Sequence, residues 1–275
     1  MLRSDIRGAW RTMSFLEKRG LLNKTCTVPF VHGSALRVPL DWHWFWTHES
    51  LTEYEPTTLK RFAETINLIA TGNATVVDGG AHIGLVSHYL AYHCPSVVRT
   101  WAFEPNPHLV PVLRANCESL PHEASAIAKA LSDFTGRARL IVPDGSDADG
   151  AYIVAADDGV IEETRDDDLL LPADRGLILK IDVEGSALAI LNGAQQTLRS
   201  APFFVVLFEA HPEVMKRTGI DPIECIRFLN ALRPCRWMLS SSDIELDLIQ
   251  PFFPQIETLV KRDVIVHTIP RTAAG

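Results

Sequence analysis

Four short, almost uninterrupted apolar runs constrain this chain of 275 residues more than any other feature it has. They are residues 74–78 (ATVVD), 98–103 (VRTWAF), 177–183 (LILKIDV) and 203–208 (FFVVLF). A strand covered on both faces loses the apolar–polar alternation of a half-exposed strand and becomes a continuous run rich in β-branched and aromatic residues. Between the runs lie segments with helical spacing at 84–93, 108–119 and 186–199. This repetition predicts an α/β fold with a doubly wound, mostly parallel, Rossmann-like sheet. Right-handed crossovers put the C-terminal ends of such strands along one edge, where open α/β sheets bind ligands.

The remaining segments fit around that frame. At 221–232 a helix is expected, with Asp221 as N-cap, Pro222 in the first turn and Glu224 completing a capping-box-like pair. Strands are expected at 236–240 and 263–269, and one more near 126–131. The first seventy residues hold the aromatic cluster Trp42-His43-Trp44-Phe45-Trp46 and then an amphipathic helix over 57–70. Residues 1–70 are read as an extension packed over the sheet edge, and 71–275 as the main domain.

Composition excludes several classes. A net charge of −8 argues against a dedicated nucleic-acid binder, which needs a concentrated basic face. Residues 1–24 carry six Lys/Arg against two acids, read as a solvated basic helix face, and residues 144–168 carry ten acids against Arg165 alone. Within the acidic stretch, Asp144, Asp147 and Asp149 suggest a calcium loop, but the position six beyond Gly150 is Ala156 where an EF-hand needs glutamate. A solvated loop is expected there. Five scattered cysteines without a C-x-x-C pair read as free thiols of a reducing compartment. The first twenty residues hold no apolar core of signal-peptide length, and the longest apolar run is too short to cross a bilayer. The expected setting is the cytoplasm, with no transmembrane segment.

The strongest local motif is VVDGGAHIG at 76–84. An acid ends a buried strand, glycines allow a sharp turn and close ligand approach, and a helix N-terminus follows with free N–H groups. Glu104 falls at the end of the next strand, where a carboxylate can accept both hydroxyls of a ribose. Together these imply a nucleoside-containing cofactor. A dinucleotide site requires G-x-G-x-x-G, whereas this chain has Gly79-x-Ala81-x-x-Gly84, and Asp78 would face a pyrophosphate unfavourably. S-adenosyl-L-methionine carries an ammonium and a sulfonium and no phosphate, and it suits an acidic first position.

The second motif is KIDVEG at 180–185. On an extended segment Lys180, Asp182 and Glu184 share one face, and three charges there are expected to line a cleft at the strand's open end. The next strand ends in Glu209 and His211 with the same spacing. Adjacent strands thus bring four candidate general bases together.

The segments VVDGGAHIG, FEPNP (103–107), TRDDDLL (164–170), LKIDVEGSALAILNGA (179–194) and FEAHP (208–212) occur in an order and spacing that resemble the FkbM-type methyltransferases, class I enzymes dependent on S-adenosylmethionine. The resemblance covers roughly 74–270, and Tyr54-Glu55 resembles a family feature upstream. The chain departs from the pattern at His82, where Asn is usual, and at Ala187, where Glu is common. The resemblance implies that Asp78, Gly80 and Gly84, with Ala81 and His82 in the same turn, surround the methionine moiety. It further implies Glu104 on the ribose, Asn106 with Ser132 and Asp133 by the adenine, and Asp182 with Glu184 facing the methyl group and acceptor.

The expected reaction is O-methylation of a small-molecule or glycan-type acceptor by in-line displacement. The candidates for the base are, in order, Asp182, Glu209, His211 and Glu184. Carboxylates with a histidine are also compatible with a divalent metal, but no ligand-specific spacing supports one. Two alternatives stand beside this reading: a non-catalytic module that binds S-adenosylmethionine, and a nicotinamide-dependent oxidoreductase.

Overall fold

The computed structural model describes residues 19, 25–40, 42–141, 152–169, 171–183, 185–256 and 262–269. The described chain opens with an antiparallel hairpin, β1 (Thr25–Pro29) and β2 (Ala35–Pro39), followed by a short helix α1 (His43–Thr47) and the amphipathic helix α2 (Pro56–Ile69). Pro56 occupies the first turn of α2, where its missing N–H is no loss, and Leu59, Phe62, Ala63, Ile66 and Ile69 form its buried stripe.

Then comes the α/β body: β3 (Ala74–Gly79), α3 (Leu85–His93), β4 (Val97–Phe103), α4 (Val110–Cys117) and β5 (Glu123–Ile127). Next are the short strands β6 (Lys129–Leu131), β7 (Gly136–Ile141), β8 (Tyr152–Ala155) and β9 (Ile161–Thr164). The order continues with β10 (Gly176–Ile181), α5 (Ala187–Gly193), α6 (Gln195–Ser200) and β11 (Phe204–Phe208). Helices α7 (Pro212–Thr218) and α8 (Ile223–Leu232) and strands β12 (Cys235–Leu239) and β13 (Val264–Thr268) complete the described chain.

Among the described residues seven strands form one sheet in the order β12-β13-β11-β10-β3-β4-β5. From β11 to β5 all neighbours are parallel, and β13 runs antiparallel to both β11 and β12. Every residue of β3, β10 and β11 is buried, which explains their continuous apolar runs. One core joins Leu36, Val38, Trp42, Phe45, Phe62 and Ile66 to Val76, Ile178 and Val205. A second, on the opposite face, joins Val77, Leu179 and Val206 to Ile190, Leu198 and Leu229 of the later helices. The described residues 25–70 therefore cover a face of the sheet rather than its edge, and the aromatic cluster belongs chiefly to the core.

Three expectations change in detail. The helix expected over 186–199 is two helices, because the Asp167 carboxylate accepts the Gln196 and Thr197 N–H groups at 3.0 and 2.8 Å and starts a new helix there. The single strand expected near 126–131 divides: β5 ends the main sheet, and β6 joins a separate four-stranded sheet of order β6-β9-β7-β8. At 221–224, Asp221 does accept the Ile223 N–H at 2.9 Å, but Glu224 pairs with Arg227 instead of closing a capping box. The calcium-loop residues 144–150 and the basic residues 1–18 lie outside the described residues. No disulfide joins any two of the five cysteines. Among the described residues no helix is long and apolar enough to cross a membrane.

Candidate active site

Strand order reverses between β3 and β10, so a crevice opens beyond their C-terminal ends. The turn after β3 is built from left-handed residues: Gly80 at φ 72, His82 at φ 51 and Gly84 at φ 82. A Cβ on Gly80 would lie 2.0 Å from the Asp182 carbonyl oxygen, so only glycine permits this close approach of two strand ends. His82 stands at a position whose backbone asks for a left-handed residue. Asn and His are both enriched in that region, which accounts for the departure from the usual Asn. Its N–H donates to Glu104 Oε2 at 2.8 Å.

Beneath the turn lies a charged cluster. Lys180 is 4% exposed and Asp78 fully buried. Lys180 Nζ stands 3.2 Å from Asp78 Oδ1 and 3.3 Å from Asp182 Oδ2, and donates to the Gly80 carbonyl at 2.7 Å. The Ser87 hydroxyl donates to Asp78 Oδ2 at 2.6 Å. Burial by itself lowers a lysine pKa, yet the two flanking carboxylates hold the Lys180 ammonium above its ordinary value. Lys180 therefore stays charged and ties the ends of β3 and β10 together.

Glu104 follows β4 directly and is 7% exposed. Its Oε1 accepts the Asn106 N–H at 2.9 Å, and its Oε2 accepts that of His82. Burial raises its pKa, against the pull of these two N–H groups and of Lys180. Each carboxylate oxygen has a second lone pair left for a ligand hydroxyl. On the other side, Glu209 follows β11 and donates its N–H to the Ile181 carbonyl at 3.3 Å. His211 caps α7: its Nδ1 accepts the Glu213 N–H at 3.2 Å.

These elements enclose a cavity of about 370 Å³, a size common for small-molecule sites. Gly80, Ala81, His82, Glu104, Asn106, Asp182, Glu209 and His211 all line it. Asp78 and Gly84 do not: Asp78 lies under the floor and acts through Lys180, while a Cβ on Gly84 would press on Leu113. Ser132 and Asp133 do not line it either, because the chain leaves the main sheet after β5 and puts Lys129, Ala130 and Leu131 on the wall instead. Glu184 lies outside the described residues. Sequence reasoning missed Glu163, Tyr152 and Asp263, which also line the cavity. Trp42 lines it too, with its ring centroid 4.9 Å from that of His82. Among the described residues no group of three or more His, Cys, Asp or Glu is placed to hold a metal ion.

A parallel sheet that reverses strand order beside a glycine turn, with a carboxylate at the end of the next strand, defines a Rossmann-like fold with its crevice at the strand-order reversal. Residues 78–233 match the methyltransferase FkbM domain, and the chain belongs to that family. A hexuronic acid methyltransferase, AglP of Haloferax volcanii, is 28% identical over 156 residues, covering 56% of this chain and 60% of the relative. A methyltransferase FkbM structure from Methylobacillus flagellatus has a TM-score of 0.47 at 16% identity, covering 83% of this chain and 51% of that one. The structure of TYW2 from M. jannaschii in complex with AdoMet has a TM-score of 0.43 at 14% identity, covering 90% of this chain and 85% of that one. The chain thus spans about 60% of the curated relative and about half of the M. flagellatus structure.

Proposed function

We propose that the protein is an S-adenosylmethionine-dependent methyltransferase that methylates a hydroxyl of a small-molecule or glycan-type acceptor. The observation that carries this reading is the acidic rim around the Gly80 turn: Asp182 and Glu209 stand at adjacent strand ends, and Glu104 at the end of β4. Such a rim suits a cationic cofactor with a ribose and repels a pyrophosphate. Gly80 and Ala81 would lie against its methionine part, and Glu104 would accept its ribose hydroxyls. When bound, the cofactor supplies an electrophilic methyl group on a sulfonium. The hexuronic acid methyltransferase supports a sugar-type acceptor, and the net charge of −8 speaks against nucleic acid. Five cysteines with no disulfide among them fit a reducing compartment, and the cytoplasm is the proposed setting.

The residues divide the remaining work. Asp182 Oδ2 faces Lys180, which leaves Oδ1 to take the hydroxyl proton as the acceptor oxygen attacks. Glu209 is the second candidate for that role. Because His211 Nδ1 accepts an N–H from α7, a neutral His211 carries its proton on Nε2. It then donates a hydrogen bond to the acceptor and is not the base. Trp42 and Tyr54 supply aromatic surface for the acceptor.

The test is transfer of a labelled methyl group from S-adenosylmethionine to a panel of neutral and acidic glycosides. Wild-type protein should label at least one of them. Asp182→Asn should lower turnover by about 10²–10⁴-fold, the usual worth of a general base, while S-adenosylhomocysteine affinity stays within a few-fold. Full turnover in that variant removes Asp182 from the role.

A further inference from the structure

Resting on the cofactor reading above, we infer that Glu163 recognises the 6-amino group of the cofactor's adenine. The sheet edge sets the geometry. Going from β10 to β5, the strand ends present Asp182, Gly80, Glu104 and then Ile127, each about 4.8 Å from the next. A cofactor with its sulfonium beside Asp182 and its ribose on Glu104 must carry its base one strand further. There the cavity wall is the second sheet. Ala130 and Leu131 of β6, Leu140 of β7 and Ile153 of β8 give an apolar lobe suited to the faces of an aromatic base.

One acid is set into that lobe. Glu163 of β9 pairs in register with Ala130 and lines the cavity. It is 7% exposed, and its Oε2 is buried without a hydrogen-bond partner. An acceptor left this way costs free energy unless a donor arrives. Among the described residues no cation is paired with it: neighbouring Lys129 stands 3.0 Å from Glu162. The surroundings that act on its charge are burial, which raises its pKa, the Ser132 hydroxyl, which lowers it, and Asp133, which raises it. The exocyclic amino group of adenine offers N–H donors at the rim of a flat ring. A base without that group leaves the carboxylate unmet.

The experiment is calorimetric titration of the protein with S-adenosylhomocysteine and with its analogue bearing purine, hydrogen at C6, in place of adenine. Wild-type protein should prefer the adenine compound by about 10–100-fold, as for a hydrogen bond to a charged acceptor. Glu163→Leu should bind both compounds alike, and Glu163→Gln, which keeps an acceptor oxygen, should retain part of the preference. Unchanged far-ultraviolet circular dichroism of the unliganded variants excludes misfolding as the cause. Equal binding of the two compounds by wild-type protein, or a wild-type preference in Glu163→Leu, overturns the inference and leaves the cofactor reading standing. Absence of any binding of S-adenosylhomocysteine to wild-type protein overturns that reading and this inference with it.

Discussion

Asp78 and Glu163 are both almost fully buried carboxylates beside one cleft, each with one oxygen that makes no hydrogen bond, and they differ in the cation beside them. Asp78 lies 3.2 Å from a lysine and accepts a serine hydroxyl at 2.6 Å, so its charge is met inside the fold. Glu163 has a buried oxygen without a hydrogen-bond partner and, among the described residues, no lysine or arginine that acts on its charge. A buried ionised group needs compensation from the protein or from a ligand. The first carboxylate belongs to the architecture of the turn, and the second faces the cavity. Burial alone does not separate such residues; the partner set does.

Lys180→Met tests the difference most severely. It leaves Asp78 buried beside an apolar side chain, and removing one partner of a buried pair costs about 3–5 kcal/mol. Urea denaturation should register that loss. Gly80→Ala comes next: its Cβ meets the Asp182 carbonyl and its φ of 72 is unfavourable for alanine, so a destabilisation of about 2 kcal/mol is expected with weakened S-adenosylhomocysteine binding. Smallest is Glu163→Leu in the unliganded protein. It removes an unmet acceptor and no ion pair, so stability should hold within about 1 kcal/mol or rise. A loss as large as that of Lys180→Met would show that Glu163 is architectural after all.

The same contrast explains what could be read from sequence. Strands β3, β10 and β11 announce themselves because every position is buried. Asp182, Glu209 and Glu104 were legible because each is a polar residue just past an apolar run, where strand ends meet the crevice. The second sheet was not legible. Its strands are three to six residues long, and β9 lies in an acid-rich stretch that reads as solvated, yet its Glu163 is buried. Ser132 and Asp133 were placed by continuing one strand through 126–131. The chain changes sheets between Ile127 and Lys129, and nothing in the apolar pattern marks that step. Lys180 was legible as a cleft residue from its spacing, but its commitment to Asp78 depends on the register between β3 and β10.

The crevice between β3 and β10 is proposed to hold S-adenosylmethionine. Equilibrium binding of S-adenosylhomocysteine, NAD and NADP to the purified protein tests it most directly. Micromolar-range binding of S-adenosylhomocysteine is expected, and none of either dinucleotide. Binding of NAD or NADP in its place would contradict it, because the acidic rim around Gly80 would then be accommodating a pyrophosphate.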